Sequence, residues 1–379
     1  MSGRTGPASQ ARPPAGVDRR EGARWHRPAA MEEMPAVIIR ARAPLRLGLA
    51  GGGTDVSPYT DLHGGAVMNV TIDRYAYAMV EPLAGDEIVV ESLDLGRRRA
   101  YPVAATLPLD GELDIAKAVY NRIIADYAQG KAQAVRISTF SEAPAGSGLG
   151  SSSAIVVALV QAFTEWLGLP LGEYDVAHLA YVIERQDIGL HGGRQDQYAA
   201  AFGGFNFMEF YANDRVIVNP LKIKQEVANE LASRTMLCFT GVSRESATII
   251  AQQSDNVRSG ATKSIDAMHA LKASALTMKE ALLRGDFELL AETLREGWLQ
   301  KRAMASGISN ARIEEVQAAA MNAGAYAGKV SGAGGGGFMM LLVPLERRLG
   351  LIGTLEAMDC RVEGCFFTQE GATAWRVRS

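Results

Sequence analysis

The sequence predicts an α+β protein with two domains. Strand-like and helix-like segments mix irregularly along the chain, with connections of the antiparallel type. No repeat of about 20–50 residues is present, which argues against a solenoid or a propeller. The 379 residues are 47% apolar, which is enough for two hydrophobic cores. We therefore expect mixed sheets rather than one doubly wound parallel sheet.

Composition excludes several classes of function. The formal net charge is −3, which gives no electrostatic case for nucleic acid or a membrane surface. No apolar run approaches the roughly 18 residues of a transmembrane helix. Three cysteines do not form a disulfide framework or a zinc motif. We expect a cytoplasmic protein with a small-molecule partner, and a homodimer is left open.

Three regions follow from the pattern of elements. Residues 1–34 are rich in Pro, Ala, Gly and Arg and are predicted to be a disordered tail. Residues 35–208 form the predicted N-terminal domain and residues 209–379 the second domain. The predicted strands are 37–43, 66–72, 75–82, 87–92, 134–140, 205–210, 235–240, 325–330 and 338–343. The predicted helices are 114–127, 154–167, 173–187, 262–284, 286–305, 310–322 and 345–357.

One loop, PAGSGLGSSS at residues 144–153, is the strongest functional signal. Its three alternate glycines let the backbone bend sharply and approach a ligand. Three serines follow where a helix needs its N-cap, and an apolar helical pattern comes next. Such a turn presents free N–H groups and a positive dipole end, which suit a phosphate. The predicted phosphate-binding residues are Pro144, Ala145, Gly146, Ser147, Gly148, Leu149, Gly150, Ser151, Ser152 and Ser153.

Common nucleotide motifs do not fit the chain. A Walker A loop needs G-x-x-x-x-G-K-[ST], whereas the segment from Gly324 to Lys329 is one residue short and continues into Val330. A Rossmann fingerprint needs G-x-G-x-x-G, whereas the glycines of 144–153 stand at every second position. The loop therefore belongs to another phosphate-binding class.

Three glycine-rich segments together, 44–55, 144–153 and 329–338, resemble the three motifs of the GHMP kinases in order and character. The resemblance implies a ribosomal-protein-S5-like N-terminal domain that binds ATP and a ferredoxin-like C-terminal domain. It also places the active site between them. Within the family, the first segment, RAPLRLGLAGGGTDVSPY, most resembles the kinases of D-glycero-D-manno-heptose 7-phosphate.

The resemblance implies two residues for the phosphoryl transfer itself. Asp196, within GGRQDQ, matches the aspartate that acts as base or positions the sugar hydroxyl. Arg46 matches the arginine of the first motif, which lies near the transferred group. The alternatives are a carboxylate that only stabilises a helix dipole and a solvent-exposed charge at a strand edge.

The family pattern also implies a magnesium site. Glu184 precedes Asp196 at the family's spacing, and Ser152 is the matching hydroxyl ligand, with Ser151 as the other candidate. Hard oxygen ligands together with nucleotide phosphates and water are what Mg²⁺ prefers. Taken alone, Glu184 is better explained as a solvated carboxylate on a helix face, and it is the spacing that favours a metal.

Sugar-binding residues are expected in several segments. Asp55 with Thr54 ends the first glycine run, although a capping or turn role competes. Gly193 precedes the predicted catalytic aspartate, and a β-bulge or hinge is the alternative for Gly334 and Gly335. A sugar that already carries a phosphate needs cations or a helix N-terminus. The predicted substrate-binding residues are Thr54, Asp55, Gly193, Gly334, Gly335, Ser243 and Arg244, with Arg194, Lys301 and Arg302 as weaker candidates for the phosphate.

The resemblance therefore implies an ATP- and Mg²⁺-dependent kinase. The expected reaction transfers the γ-phosphoryl group to the anomeric C1 hydroxyl of D-glycero-D-manno-heptose 7-phosphate. A 1-kinase of another sugar, such as L-fucose, is the alternative within the class. A catalytically inactive regulator that binds sugar and ATP would be expected to lack Arg46, Ser152, Glu184 or Asp196, and all four are present.

Overall fold

The computed structural model describes residues 37–241 and 246–378, so the tail expected at 1–34 lies outside the described residues. The strands are β1 (Val37–Ala50), β2 (Gly65–Pro82), β3 (Glu87–Ser92), β4 (Arg97–Pro102), β5 (Val135–Ser141), β6 (Phe205–Phe210), β7 (Val216–Pro220), β8 (Thr235–Phe239), β9 (Ala327–Val330), β10 (Phe338–Leu342), β11 (Arg361–Gly364) and β12 (Thr373–Arg378). The helices are α1 (Tyr59–His63), α2 (Asp114–Tyr127), α3 (Ser151–Leu167), α4 (Glu173–Val182), α5 (Gln195–Phe202), α6 (Gln225–Arg234), α7 (Ser246–Arg258), α8 (Thr262–Arg284), α9 (Phe287–Met304), α10 (Ala311–Asn322) and α11 (Arg348–Glu356).

A large sheet of eight strands has the order β12-β1-β2-β5-β3-β4, with β6 paired to β2 and β7 paired to β6. Its pairings are antiparallel except that of β3 with β5. The long strand β2 makes this layout possible, because its first half pairs with β6 and its second half with β5. Mixed helices and antiparallel strands confirm the predicted α+β class.

A second sheet of four strands has the order β11-β8-β10-β9 and is antiparallel throughout. Its own hydrophobic cluster contains Trp298 of α9 and the buried faces of α10 and α11. The larger cluster surrounds the eight-stranded sheet and also includes Leu237, Phe338 and Met340 of the small sheet. The clusters therefore do not separate by sheet, and the division into two domains stays a prediction.

The domain boundary proposed between residues 208 and 209 falls inside β6. Sheet pairing places β6 and β7 with the large sheet, and β12 returns to the same sheet after the small sheet is complete. The large sheet therefore recruits residues from the second half of the chain.

Helix α3, which follows the loop at 144–153, contacts β1, β2, α4 and α5. The sequence predicts one buried stripe, but buried residues surround most of this helix, while Ile155 and Trp166 are only partly buried. Packing on several sides explains why a single-face pattern underestimates its burial. The helix is capped by Gly150 rather than by a serine hydroxyl.

Sequence periodicity succeeds best for the helices of the second half. The helices predicted at 262–284, 286–305 and 310–322 are confirmed as α8, α9 and α10. Asp286 and Asn310 cap α9 and α10 through side-chain oxygens, as their types favour. None of the helices in the described ranges is both long and apolar enough to cross a bilayer.

Candidate active site

A cavity of about 250 Å³ is lined by all three predicted glycine-rich segments. Its walls include Arg46 and Asp55 from the first segment, Gly148 from the second and Gly332 from the third. We refer to this cavity as the reaction cleft. The fold therefore brings together residues that lie far apart in the sequence.

The loop at 144–153 divides into residues that face the cleft and residues that hold the loop. Pro144, Ala145, Ser147 and Leu149 do not line the cleft, whereas Gly146, Gly148, Gly150, Ser151, Ser152 and Ser153 do. Ser147 and Leu149 are buried, and their carbonyls accept hydrogen bonds from Phe338 N at 2.9 Å and Arg46 N at 3.0 Å. The alternation of side chains thus fixes the loop on one side and leaves backbone facing the cavity on the other.

The N-terminus of α3 opens into the same cleft. The first backbone bond of this helix runs from Ala154 N to Gly150 O at 3.0 Å. The amides of the preceding serines therefore lack partners within the helix, which is the usual condition of an N-terminal turn. These donors and the helix dipole can bind a phosphate group.

Arg46 and Asp196 form an ion pair in the cleft. Arg46 Nε donates to Asp196 Oδ1 at 2.8 Å, and Arg46 Nη2 lies 2.7 Å from the same oxygen. Arg46 Nη1 donates to Gly148 O at 2.5 Å, which ties the pair to the phosphate loop. Only 5% of the Arg46 side chain is exposed, compared with 22% for Asp196. Arg46 is therefore not the solvent-exposed strand charge of the alternative interpretation.

Asp196 lies in the first turn of α5 and packs against the loop. A Cβ built on Gly150 would lie 3.3 Å from Asp196 Cγ, so the glycine permits this close approach. Among the described residues, no hydrogen bond engages Asp196 Oδ2. That oxygen is available to a substrate hydroxyl.

Asp55 caps α5 from a distant part of the chain. Its Oδ2 accepts hydrogen bonds from Arg194 N at 2.9 Å and Gln195 N at 3.0 Å. A Cβ on Gly193 would lie 1.9 Å from that oxygen, so this position requires glycine. The contacts support the capping role that competed with sugar binding. Both residues still line the cleft, and their contact with substrate stays a prediction.

Glu184 is buried and also lines the cleft, in a π-helical turn spanning Ile183–Asp187. Its Oε1 accepts a hydrogen bond from Ser152 Oγ at 2.8 Å, and its Oε2 accepts from Ser153 Oγ at 2.7 Å and Gln197 Nε2 at 2.5 Å. Glu184 is thus not a solvated carboxylate on a helix face. The spacing-based prediction brings it directly to Ser152.

This donor set fits a magnesium ion that is shared with nucleotide phosphates. Among the described residues, no group of three His, Cys, Asp or Glu side chains could hold a metal alone. A carboxylate and a hydroxyl within hydrogen-bond distance supply two hard oxygens, and Mg²⁺ commonly completes its shell with phosphates and water. Ser151 also lines the cleft, but the serines that donate to Glu184 are Ser152 and Ser153.

Several predicted substrate-binding residues do not face the cleft. Thr54 is fully buried, and its hydroxyl lies 2.8 Å from Gly51 O and 2.9 Å from Ala66 O. Gly334 packs on Ile308, where a Cβ would meet Ile308 O at 2.7 Å, and Gly335 N donates to the same carbonyl. Because the contacts of these three residues are internal, they fix the backbone conformation and do not face a ligand in the cleft. Ser243 and Arg244 lie outside the described residues.

Lys301 is the main residue that the sequence interpretation undervalued. It lies on α9, is 6% exposed and lines the cleft, and its Nζ donates to Gly332 O. Burial and, second, the charge of Arg46 lower the pKa of Lys301 from 10.5 to about 8, against the opposing effects of Asp55 and Asp196. Lys301 is therefore a buried cation at the reaction cleft, and its neighbour Arg302 forms a surface ion pair with Glu314.

Gln195 adds a second feature that the sequence did not single out. It lines the cleft, and its Nε2 donates to Asp55 Oδ1 at 3.3 Å. Its Oε1 is buried without a hydrogen-bond partner. Buried acceptors usually find a donor, so this oxygen is suited to a substrate hydroxyl.

Comparison with known proteins agrees with this fold and cleft. Residues 114–204 match the family model described as GHMP kinases N terminal domain, and residues 278–352 match GHMP kinases C terminal. These matches define the protein as a kinase that takes its phosphoryl group from ATP. The chain belongs to the GHMP kinase family.

Individual relatives cover almost the whole chain. D-glycero-alpha-D-manno-heptose 7-phosphate kinase of Campylobacter jejuni subsp. jejuni serotype O:2 is 47% identical, with 89% of this chain and 99% of the relative covered. A crystal structure of a D-glycero-D-manno-heptose 1-phosphate kinase from Bacteriodes thetaiotaomicron has a TM-score of 0.77 and 44% identity, covering 90% of this chain and 100% of that one. L-fucokinase/L-fucose-1-P guanylyltransferase of Bacteroides fragilis is 26% identical, covering 80% of this chain and 34% of the relative.

Proposed function

We propose that the protein transfers the γ-phosphoryl group of ATP to the anomeric C1 hydroxyl of D-glycero-D-manno-heptose 7-phosphate, giving the 1,7-bisphosphate. The ion pair of Arg46 and Asp196 against the phosphate loop is the observation that carries the reaction type. The substrate class is supported by the 47% identity to a relative named as a heptose 7-phosphate kinase, which this chain covers almost completely.

Asp196 acts on the substrate hydroxyl in the proposed mechanism. Arg46 occupies Oδ1, so Oδ2 is the oxygen that accepts the hydroxyl hydrogen bond and then its proton. Phosphoryl transfer depends mainly on alignment and on neutralising charge, rather than on covalent chemistry by the protein. Arg46 and Lys301 supply the positive charge beside the transferred group.

ATP phosphates are bound at the N-terminus of α3 in this proposal. The backbone of Gly146, Gly148 and Gly150 lets the triphosphate approach closely, and the amides of the first helical turn donate to it. Gly332 of the third segment also lines the cleft. It packs directly against the loop, since a Cβ on Gly332 would lie 2.7 Å from Gly148 Cα.

Mg²⁺ is proposed to bind at Ser152 and Glu184, where it would neutralise phosphate charge. Ser153 and Gln197 hold the second oxygen of Glu184, so the carboxylate presents Oε1 toward Ser152. Orientation of a metal-binding carboxylate by such neighbours is common in metal sites.

The 7-phosphate is proposed to interact with Ser243 and Arg244, which follow the small-sheet strand β8 in the sequence. We also propose a cytoplasmic enzyme, since Cys238, Cys360 and Cys365 are buried free thiols. A homodimer is the assembly proposed for it. L-fucose is the second candidate sugar, supported by the 26% identity to L-fucokinase/L-fucose-1-P guanylyltransferase.

A substrate panel tests the proposal. The purified protein is incubated with ATP, Mg²⁺ and free or phosphorylated heptoses and hexoses, including L-fucose, and products are analysed by phosphorus NMR. We expect a product whose new phosphorus couples to the anomeric proton, formed from heptose 7-phosphate and lost when EDTA removes Mg²⁺. Turnover of L-fucose alone, or a product without anomeric coupling, would contradict the proposed substrate or position.

A further inference from the structure

A second cavity of about 220 Å³ adjoins the reaction cleft. The two share part of their lining, including Asp55, Arg185, His191 and Ile250. Tyr181, Arg194, Ser254 and Arg258 line only the second cavity. A ligand whose reacting end lies at Asp196 can therefore extend into this space.

The second cavity has an excess of positive charge. Arg185, Arg194 and Arg258 line it, and Asp55 is the only carboxylate among its described lining residues. Both carboxylate oxygens of Asp55 already accept hydrogen bonds within the first segment and at the start of α5. The cavity is thus suited to an anion.

Arg194 is compensated by the protein. Its guanidinium lies 2.8 Å from Asp214 and 3.4 Å from Asp61, and Nη1 donates to Tyr211 O at 3.0 Å. Its side chain is only 4% exposed. Arg194 therefore stabilises the wall of the cavity, and the remaining two arginines carry the case for a ligand.

Arg185 is held loosely at the junction of the two cavities. Its hydrogen bonds to Gly193 O and Leu190 O are both 3.4 Å long, and Nη1 lies 3.6 Å from Glu184 Oε1, an oxygen that already accepts from Ser152. A Cβ on Gly192 would lie 2.4 Å from Arg185 Cζ, so the glycine makes room for this guanidinium. A guanidinium with only long contacts retains capacity for a strong acceptor such as phosphate.

Arg258 is the second cation, at the end of α7. Within the described part of the chain it pairs with Asp255 at 2.8 Å, and the two side chains are 65% and 71% exposed. Exposed pairs of this kind contribute little to stability. Breaking the pair with Asp255 so that Arg258 can bind a phosphate in the cavity therefore costs little free energy.

From these contacts we infer that the second cavity binds the phosphate that the sugar substrate already carries, with Arg185 as its main ligand and Arg258 as a supporting cation. This inference rests on the proposed function, because it assigns the far end of a sugar phosphate whose reacting hydroxyl lies at Asp196. It gives the enzyme a physical means to prefer phosphorylated sugars, since an arginine fork matches phosphate oxygens. It is argued only from described residues. Ser243 and Arg244, which precede α7 in the sequence, would be additional ligands of the same phosphate.

Steady-state kinetics with a matched pair of sugars tests the inference. For Arg185→Gln we expect kcat/KM for heptose 7-phosphate to fall about 10- to 100-fold, the range for a lost hydrogen bond to a charged group. For the unphosphorylated heptose the loss should be clearly smaller, so that the ratio of the two kcat/KM values falls, even though Arg185 also lines the reaction cleft. Arg258→Gln should show a smaller loss of the same selectivity. Arg284→Gln is the control, because Arg284 forms a comparable exposed pair with Glu280 on α8, away from both cavities.

The pattern of losses identifies which phosphate Arg185 contacts. Equal losses for phosphorylated and free heptose in Arg185→Gln would assign it to ATP or to the fold and overturn the inference. Full activity of the double variant Arg185→Gln/Arg258→Gln on heptose 7-phosphate would overturn it as well. If Arg185→Gln fails to fold, Arg258→Gln still tests the inference, because Arg258 is exposed and its substitution should leave the fold intact.

A binding measurement separates this inference from the proposed reaction. Inorganic phosphate is titrated calorimetrically into enzyme saturated with Mg²⁺ and adenylyl imidodiphosphate, so that the nucleotide site is occupied. Binding by the wild-type enzyme that is lost in Arg185→Gln would support the anion site even if heptose 7-phosphate were not phosphorylated. No binding, or equal binding by both proteins, would overturn the inference while leaving the kinase activity unaffected.

Discussion

The two glycine-rich segments at 144–153 and 331–337 look alike in composition but do different work in the structure. In the first, Gly146, Gly148 and Gly150 line the reaction cleft. In the second, only Gly332 of the glycines does so. Gly334 and Gly337 are packed against backbone: an added Cβ would lie 2.7 Å from Ile308 O and 2.4 Å from Ser147 O, respectively.

This difference teaches that a glycine run can serve either a ligand or a neighbouring loop. The second segment holds the first in place, because Ser331 Oγ donates to Gly148 O at 2.9 Å and Phe338 N donates to Ser147 O at 2.9 Å. Substitutions of residues that contact 144–153 should therefore lower turnover, whereas substitutions within 331–337 should mainly lower the free energy of unfolding. Substitutions at three residues test this division, beginning with the largest effect on turnover.

Asp196→Asn, at the residue that contacts Gly150, should lower kcat about 10²- to 10⁴-fold, as expected when a general base is lost. The reason is that the amide cannot accept the hydroxyl proton, although it keeps the size of the side chain. ATP affinity should be retained, as measured by calorimetry with a non-hydrolysable analogue. Asp175→Asn is the control, since Asp175 lies in the first turn of α4 and accepts from Gly172 N. Ordinary turnover by Asp196→Asn would remove Asp196 from the mechanism.

Lys301 tests the part of the second segment that reaches the cleft, because its ammonium donates to Gly332 O. Its pKa of about 8 predicts that kcat/KM falls as the pH rises above 8 and the charge is lost. Lys301→Arg should extend activity to higher pH, and Lys301→Met should be slow, by about tenfold, across the range in which the wild type is protonated. If kcat/KM falls above pH 8 in Lys301→Arg just as it does in the wild type, a group other than Lys301 is responsible for the fall.

The depressed pKa of Lys301 also makes the free energy of unfolding depend on pH. The unfolded chain binds more protons than the folded one between about pH 8 and pH 10.5, because the folded pKa is depressed. The contribution of Lys301 to the free energy of unfolding should therefore rise with pH in that window, relative to Lys301→Met. Urea denaturation at several pH values measures this difference.

Gly337→Ala should have the smallest effect on turnover and a clear effect on stability. Its φ of +83° disfavours a side chain, and the new Cβ would meet a backbone carbonyl. Gly130→Ala is the matched control, with φ of +72° and no atom within 4 Å of the added Cβ. We expect about 1 kcal/mol of destabilisation for the control and about 1–3 kcal/mol more for Gly337→Ala. Equal urea midpoints for the two would assign the segment another role.

Local patterns predicted much of this molecule. Helices α8, α9 and α10 carry a strong apolar period and good capping residues, so their bounds followed closely. The pairing of Glu184 with Ser152 followed from the family's spacing. Both predictions use only features of the sequence and require no information about tertiary packing.

Contacts between distant segments were not predictable in the same way. Lys301 stands beside Arg302 in the sequence, but only the packing of the small sheet buries one and exposes the other. Asp55 lies far from the helix it caps, so its type suggested a turn or a sugar contact equally. Residues that depend on tertiary packing therefore need the structure.

The pairing of β1 with β12 has a consequence for synthesis of the protein. β1 is the first described strand and β12 the last, and they join along six residue pairs from Val37 with Arg378 to Arg42 with Thr373. Contacts between such distant residues slow folding, because a long loop must close first. On the ribosome, one edge of β1 stays unpaired until β12 emerges, so the nascent large sheet exposes an edge to other chains for most of translation.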